Sequence, residues 1–107
     1  MQQEQFEKVF EEQFERIREI LLLKQKEYAT EDKLHNFRIS AQLQNITMEQ
    51  ALAGMLSKHT VSIYDMIASG DRYGVDKWDE KINDHIVYLL LLRAIIEEKR
   101  THEYIET

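Results

Sequence analysis

The stretch Glu80-Lys81-Ile82-Asn83-Asp84-His85-Ile86-Val87-Tyr88-Leu89-Leu90-Leu91-Leu92-Arg93 decides the fold. From Ile86 to Leu92 every residue is apolar, which leaves a helix almost no polar face and reads as a buried helix. Asp84 heads the stripe Asp84, Tyr88, Leu91, Ile95, and Glu80 lies one turn earlier on the same side. Two carboxylates running into a buried stripe require a partner, a proton or a bound cation, because unpaired burial is costly. They form either a site or internal salt bridges, Glu80 with Lys77 and Asp84 with Lys81 or a lysine on another helix.

Outward from this stretch the chain keeps a helical period. Phe6, Val9, Phe10, Phe14, Ile17, Ile20 and Leu21 recur at three- and four-residue steps, giving a first helix over about Gln3 to Glu27. Its three phenylalanines imply packing against more than one neighbour, a partner subunit among the options. After a polar break at Ala29 to Leu34, where Thr30 or Asp32 is placed to cap, a short helix over Leu34 to Gln44 turns Leu34, Phe37 and Ala41 inward. Thr47-Met48-Glu49-Gln50 has the form of a capping box and opens a third helix running to about Ala68. Ser69-Gly70-Asp71-Arg72-Tyr73-Gly74 is the clearest loop, and Asp76 is the expected cap of a fourth helix that reaches about Glu98 or beyond. The tail Lys99 to Thr107 is polar and expected to fray. With no proline, three glycines and abundant Glu, Gln, Lys, Leu and Ala, the chain is all-α: one domain over 1–107, three long helices and a short one, completed by oligomerisation.

Composition narrows the function. The absence of cysteine excludes disulfides, thiolate metal sites and cysteine nucleophiles, and suits a reducing compartment. The acidic, glutamine-rich start has no signal-peptide character, and no apolar run approaches the ~20 residues a membrane span needs, so a cytosolic protein is expected. A net charge of −6 argues against general nucleic-acid binding, although Arg38, Lys58, Arg72, Lys77 and Lys81 crowd the middle third and leave room for a local basic spot.

Several side chains carry candidate chemistry beside a plain structural reading. Glu80 and Asp84, spaced i, i+4, suit a hard cation such as Mg²⁺, which takes one or two carboxylates together with water and phosphate oxygens. Lys58, on the stripe Ala51, Met55, Lys58, Ser62, Asp65, either meets a carboxylate or phosphate or snorkels along the helix flank. His59 sits on the core stripe as a bonded core histidine or a ligand. Gly54 costs its helix about 1 kcal/mol against alanine, a cost that close approach of another helix or a ligand would offset. Tyr28, Asp32, Asn36 and Phe37 put aromatics, a carboxylate and an amide around one turn: stacking and edge-reading groups for a base, or a core residue and a cap. Trp78 has the same two readings.

The segments Lys26-Glu27-Tyr28-Ala29-Thr30-Glu31-Asp32-Lys33-Leu34-x-Asn36-Phe37, Lys58-His59-x-x-Ser62-Ile63 and Glu80-Lys81-Ile82-x-Asp84-x-Ile86-x-Tyr88-Leu89, in this order, resemble small phage-encoded helical proteins and, with them, the all-α nucleoside triphosphate pyrophosphatases of the MazG-like group. The resemblance covers about Lys26 to Glu98. It implies a cytosolic homo-oligomer in which acidic residues on two neighbouring helices hold Mg²⁺ against nucleotide phosphates. Carried over, Glu80 and Asp84 are the metal ligands of one helix, Lys58 meets phosphate, and Asn36 with Phe37 lies near the sugar or base. The Glu-x-x-Glu pair usual on the preceding helix is missing here; that helix has Glu49 and Asp65 near its ends and Lys58 and His59 in its middle. The expectation is therefore a protein that binds a nucleotide or signalling nucleotide, with Mg²⁺-dependent pyrophosphohydrolysis left open. The other reading is a protein–protein inhibitor or adaptor acting on a host defence protein.

Overall fold

The computed structural model describes the backbone of residues 1–27 and 32–106 and the side chains of 1–22 and 32–102. Among these residues the chain forms four helices and no strand: α1 over Gln3–Glu27, α2 over His35–Gln44, α3 over Met48–Ser69 and α4 over Val75–Glu106.

Side-chain chemistry at the boundaries explains most of these limits. Asp32 accepts from the Leu34 amide through Oδ1 at 3.0 Å, while its carbonyl accepts from His35 at 3.2 Å, opening α2. Asn45 ends α2 in the left-handed region (φ 56°), which asparagine tolerates, and the Ile46 amide then donates back to the Ala41 carbonyl. The capping box at α3 is complete: the Gln50 amide donates to Thr47 Oγ1 at 3.1 Å, and the Thr47 amide donates to Gln50 Oε1 at 2.9 Å. Gly70 closes α3 at φ 69°, where a side chain would be strained.

The last three helices share one core. Leu34 and Phe37 from the start of α2, Leu52 from α3 and Ile95 from α4 are buried together, with Met48, Met55, Leu56, Tyr88, Leu91 and Leu92 packed around them. Fully burying a side chain of this size stabilises the fold by roughly 1.5–3 kcal/mol. The α3 and α4 axes run antiparallel, since Glu49 meets Lys99 at 3.2 Å and Thr60 Oγ1 meets His85 Nε2 at 3.2 Å. Arg38 ties α2 to α4, donating to Glu98 Oε1 and Oε2 at 2.8 and 3.1 Å and to Asp32 Oδ2 at 3.0 Å.

The first helix stands apart. Among the described residues its helix contacts are with α4. The seam includes Gln13 donating to Asp79 at 2.8 Å and Arg16 paired with the same carboxylate. Ile17 and Val87 are buried outside the main cluster, as is Asn83, whose Oδ1 has no hydrogen-bond partner among the described residues; Gln13 Oε1 is buried and, among the same residues, also unpartnered.

Some expectations change at this point. The fourth helix starts at Val75, so Asp76 lies inside its first turn and the Gly74 carbonyl receives the Lys77 and Trp78 amides in place of an Asp76 cap. Helix continues past Glu98 through Glu106, supported where Arg100 pairs with Glu97 at 2.6 Å and Thr101 bonds the Glu97 carbonyl. The run Ile86 to Leu92 is buried on one side alone: Val87 is covered, but Leu89 and Leu90 are nearly half exposed, because α4 has neighbours on only part of its circumference. Phe6, Phe10 and Phe14 are each more than half exposed. Among the described residues an added Cβ at Gly54 would meet no neighbouring element within 4 Å.

Candidate functional site

A cleft of about 440 Å³ opens between α3, the 70–74 loop and the first turns of α4. Lys58, Val61, Ser62, Asp65 and Met66 contribute its α3 wall, Tyr73 its end, and Lys77 and Lys81 its α4 wall. Helical spacing places these groups: Lys58, Ser62 and Asp65 recur at four- and three-residue steps, and Lys77 and Lys81 lie one turn apart, so each set shares a face. Three ammonium groups against one carboxylate give the cleft a net positive charge within a chain of −6.

The loop builds one end of the cleft. Gly70 reverses the chain, and Ser69 Oγ accepts from the Asp71 amide at 3.1 Å while donating to the Met66 carbonyl at 3.0 Å. The Tyr73 hydroxyl lies 3.2 Å from Ser69 Oγ, and its ring meets Trp78 edge-on at 5.9 Å. Lys77 Nζ sits 5.6 Å from the Tyr73 ring centroid, a cation–π contact that steadies the ammonium beside the cleft. Such a surface can bind a compact anion by charge and by ammonium and hydroxyl donors, and it offers an aromatic ring for stacking.

The side chains singled out from the sequence scatter. Lys58 lines the cleft. Trp78 does not, but it buttresses Tyr73, which does. His59 is half-buried with its ring 4.8 Å from that of Tyr88, and Phe37 is a core residue 6.4 Å from the same ring. Asn36 is exposed in the first turn of α2. Asp32 serves the α2 start and Arg38. Its carboxyl is held below the ordinary value first by the Arg38 guanidinium and then by the Leu34 amide, and Arg38 lowers Glu98 in the same way. Arg38 is thereby committed to structure and is no part of the basic spot. Tyr28 lies outside the described residues.

Glu80 is exposed and Asp84 half-buried, and neither lines the cleft or forms an ion pair among the described residues. Among the described residues no group of three or more His, Cys, Asp or Glu side chains is arranged to hold a metal ion. Glu80 and Asp84 lie one turn apart on α4, outside the lining of the cleft that holds the three lysines.

Tyr73, Lys77, Lys81, Ser62 and Asp65 are the cleft residues that reasoning centred on the acidic pair passed over. Their signal was the crowding of Lys58, Lys77 and Lys81 in the middle third, together with the Lys58, Ser62, Asp65 stripe. No family model, curated protein or solved structure matches this chain.

Proposed function

We propose that this protein binds a phosphate-bearing ligand, a nucleotide or nucleotide-derived signal, in the cleft between α3 and α4. Three lysines around one small concavity beside a pinned tyrosine carry this reading. Lys58, Lys77 and Lys81 would surround the phosphates, Ser62 would donate its hydroxyl, and the Tyr73 ring would take the base or sugar. Asp65 would accept from a ligand hydroxyl or amino group, a discriminating contact against bare inorganic phosphate. Lysines in place of a carboxylate cage suit binding without turnover, since phosphate charge is met by ammonium groups that supply no activated water.

Titration calorimetry with a panel of nucleoside mono-, di- and triphosphates and cyclic nucleotides, with and without Mg²⁺, tests the proposal. A dissociation constant tighter than about 100 μM is expected for at least one member, weakened at least tenfold by Lys77→Glu. Heats indistinguishable from dilution across the panel would remove the reading. Phosphate release in the Mg²⁺ arm would restore hydrolysis to consideration, with Glu80→Gln and Asp84→Asn as the controls.

A second reading has an observation of its own. Phe6, Phe10 and Phe14 form an exposed aromatic face on α1, suited to docking on another protein, as an inhibitor or adaptor would. Phe10→Glu separates the two readings, because it would abolish such docking and leave nucleotide binding intact.

A further inference from the structure

Among the described residues nothing covers the outer face of α3. Gly54, Ser57, Val61, Tyr64 and Ala68 follow one another at three, four, three and four residues, the spacing of a coiled-coil seam, and all five are exposed. Val61 is 58% exposed and Tyr64 68%, and the neighbouring Ile67 is 63% exposed. Glycine weakens the middle of a helix, yet among the described residues no neighbouring element lies within 4 Å of a Cβ at position 54.

We infer that α3 pairs antiparallel with the α3 of a second copy along this seam. The flanks supply the reason for choosing a second copy. Lys58 and Asp65 each follow a seam residue by one position, so they border the same edge seven residues apart. In an antiparallel pair with Val61 opposite Tyr64 and Ser57 opposite Ala68, equivalent edges meet, and Lys58 of each copy comes beside Asp65 of the other. The two-fold axis makes that ion pair twice. On the other edge Thr60 comes beside Ile67, with no charge to bury. In the same register Gly54 falls opposite the turn at Gly70 and Asp71, where the lack of a side chain admits the second copy's backbone. The seam itself is uncharged, so pairing here brings no acid against acid in a chain of −6. The aromatic face of α1 lacks this property, because Glu7 and Glu11 border it and would face their own copies.

Pairing on α3 also changes the cleft. Val61 belongs to both the seam and the cleft wall, so Tyr64 of the second copy stands at the cleft's open side. Lys58 and Asp65 lie on the rim shared by seam and cleft, so in the dimer they turn to the second copy and Lys77 and Lys81 remain to meet phosphate; mass reads the dimer and ligand binding reads the cleft.

Sedimentation equilibrium on the full chain tests the inference. Wild type is expected at twice its 12.8 kDa chain mass. Tyr64→Glu is expected at the single-chain mass at the same concentration, with helicity by circular dichroism unchanged. Lys58→Asp should weaken association about tenfold, and adding Asp65→Lys should restore it, because the exchanged pair is again complementary. A wild type that stays at 12.8 kDa at every concentration overturns the proposal, as does a dimer indifferent to Tyr64→Glu but dissolved by Phe10→Glu. Should Tyr64→Glu lose helicity, the charge exchange decides, and failure of the second substitution to restore association overturns the α3 seam.

Discussion

The α2/α3/α4 core and the α1/α4 seam are held by different means. The core joins Leu34, Phe37, Leu52 and Ile95 in one apolar cluster fed by three helices. The seam relies on Ile17 and Val87 together with a polar layer in which Asp79 receives both Gln13 and Arg16, and two amide oxygens find no partner among the described residues. Apolar burial is non-directional and accumulates with area, whereas a polar layer contributes little net stability and mainly fixes register. The last three helices should therefore behave as the cooperative unit, with α1 as the more easily detached element.

The largest effect should come from the core. Leu52, 1% exposed, is expected to cost about 2–5 kcal/mol when cut to alanine, read from the midpoint of a urea transition. Ile17→Ala should cost less, about 2 kcal/mol, and should raise amide exchange along α1 while leaving α3 protected; uniform loss of protection would erase the contrast between the two regions. Asn83→Leu is expected to stabilise by about 1 kcal/mol, because it removes a buried carbonyl that has no donor. A loss of stability there would mean that the amide is satisfied in solution.

The smallest effect concerns acid. The carboxyls of Asp32 and Glu98 lie below their ordinary values of 3.8 and 4.5 in the folded chain, chiefly because each accepts from the Arg38 guanidinium. A depressed folded value lends stability above the unfolded one, and that stability is lost as pH falls through the folded value. Arg38→Met should cost about 1 kcal/mol at neutral pH, a modest figure because all three groups are roughly one-third exposed to screening solvent. The variant and wild type should converge in stability well below pH 4, followed by thermal melts across an acid series.

The helices were legible in the sequence because local chemistry writes them. The Thr47 and Gln50 capping box, the Ser69 to Gly74 loop and the three- and four-residue apolar steps of α1 need no tertiary information. Phe37 and Ile95 were legible as core for the same reason. The disposition of α1 was not, since a period of Phe6, Phe10, Phe14 and Ile17 shows which face is apolar but not how much of it a neighbour covers. The cleft was half legible. Lys58 was identified, and its companions Lys77 and Lys81 lie one turn apart, but helical spacing alone brings Asp84 close to the same side, seven residues from Lys77, and it is the turn at Gly70 with the Ser69–Tyr73 contact that sets which α4 side chains line the cleft. A stripe entered by a carboxylate looked like a buried site because the periodicity of one helix cannot show where its neighbours end.

The central claim, that the cationic cleft is where this protein meets phosphate, is tested most directly by amide chemical-shift mapping during titration with a nucleotide that binds in calorimetry. Saturable shifts clustered on Ser62, Asp65, Tyr73, Lys77 and Lys81 are the expected result. Shifts gathered around Glu80, Asp84 and Asn36, with these cleft amides unmoved, would contradict it.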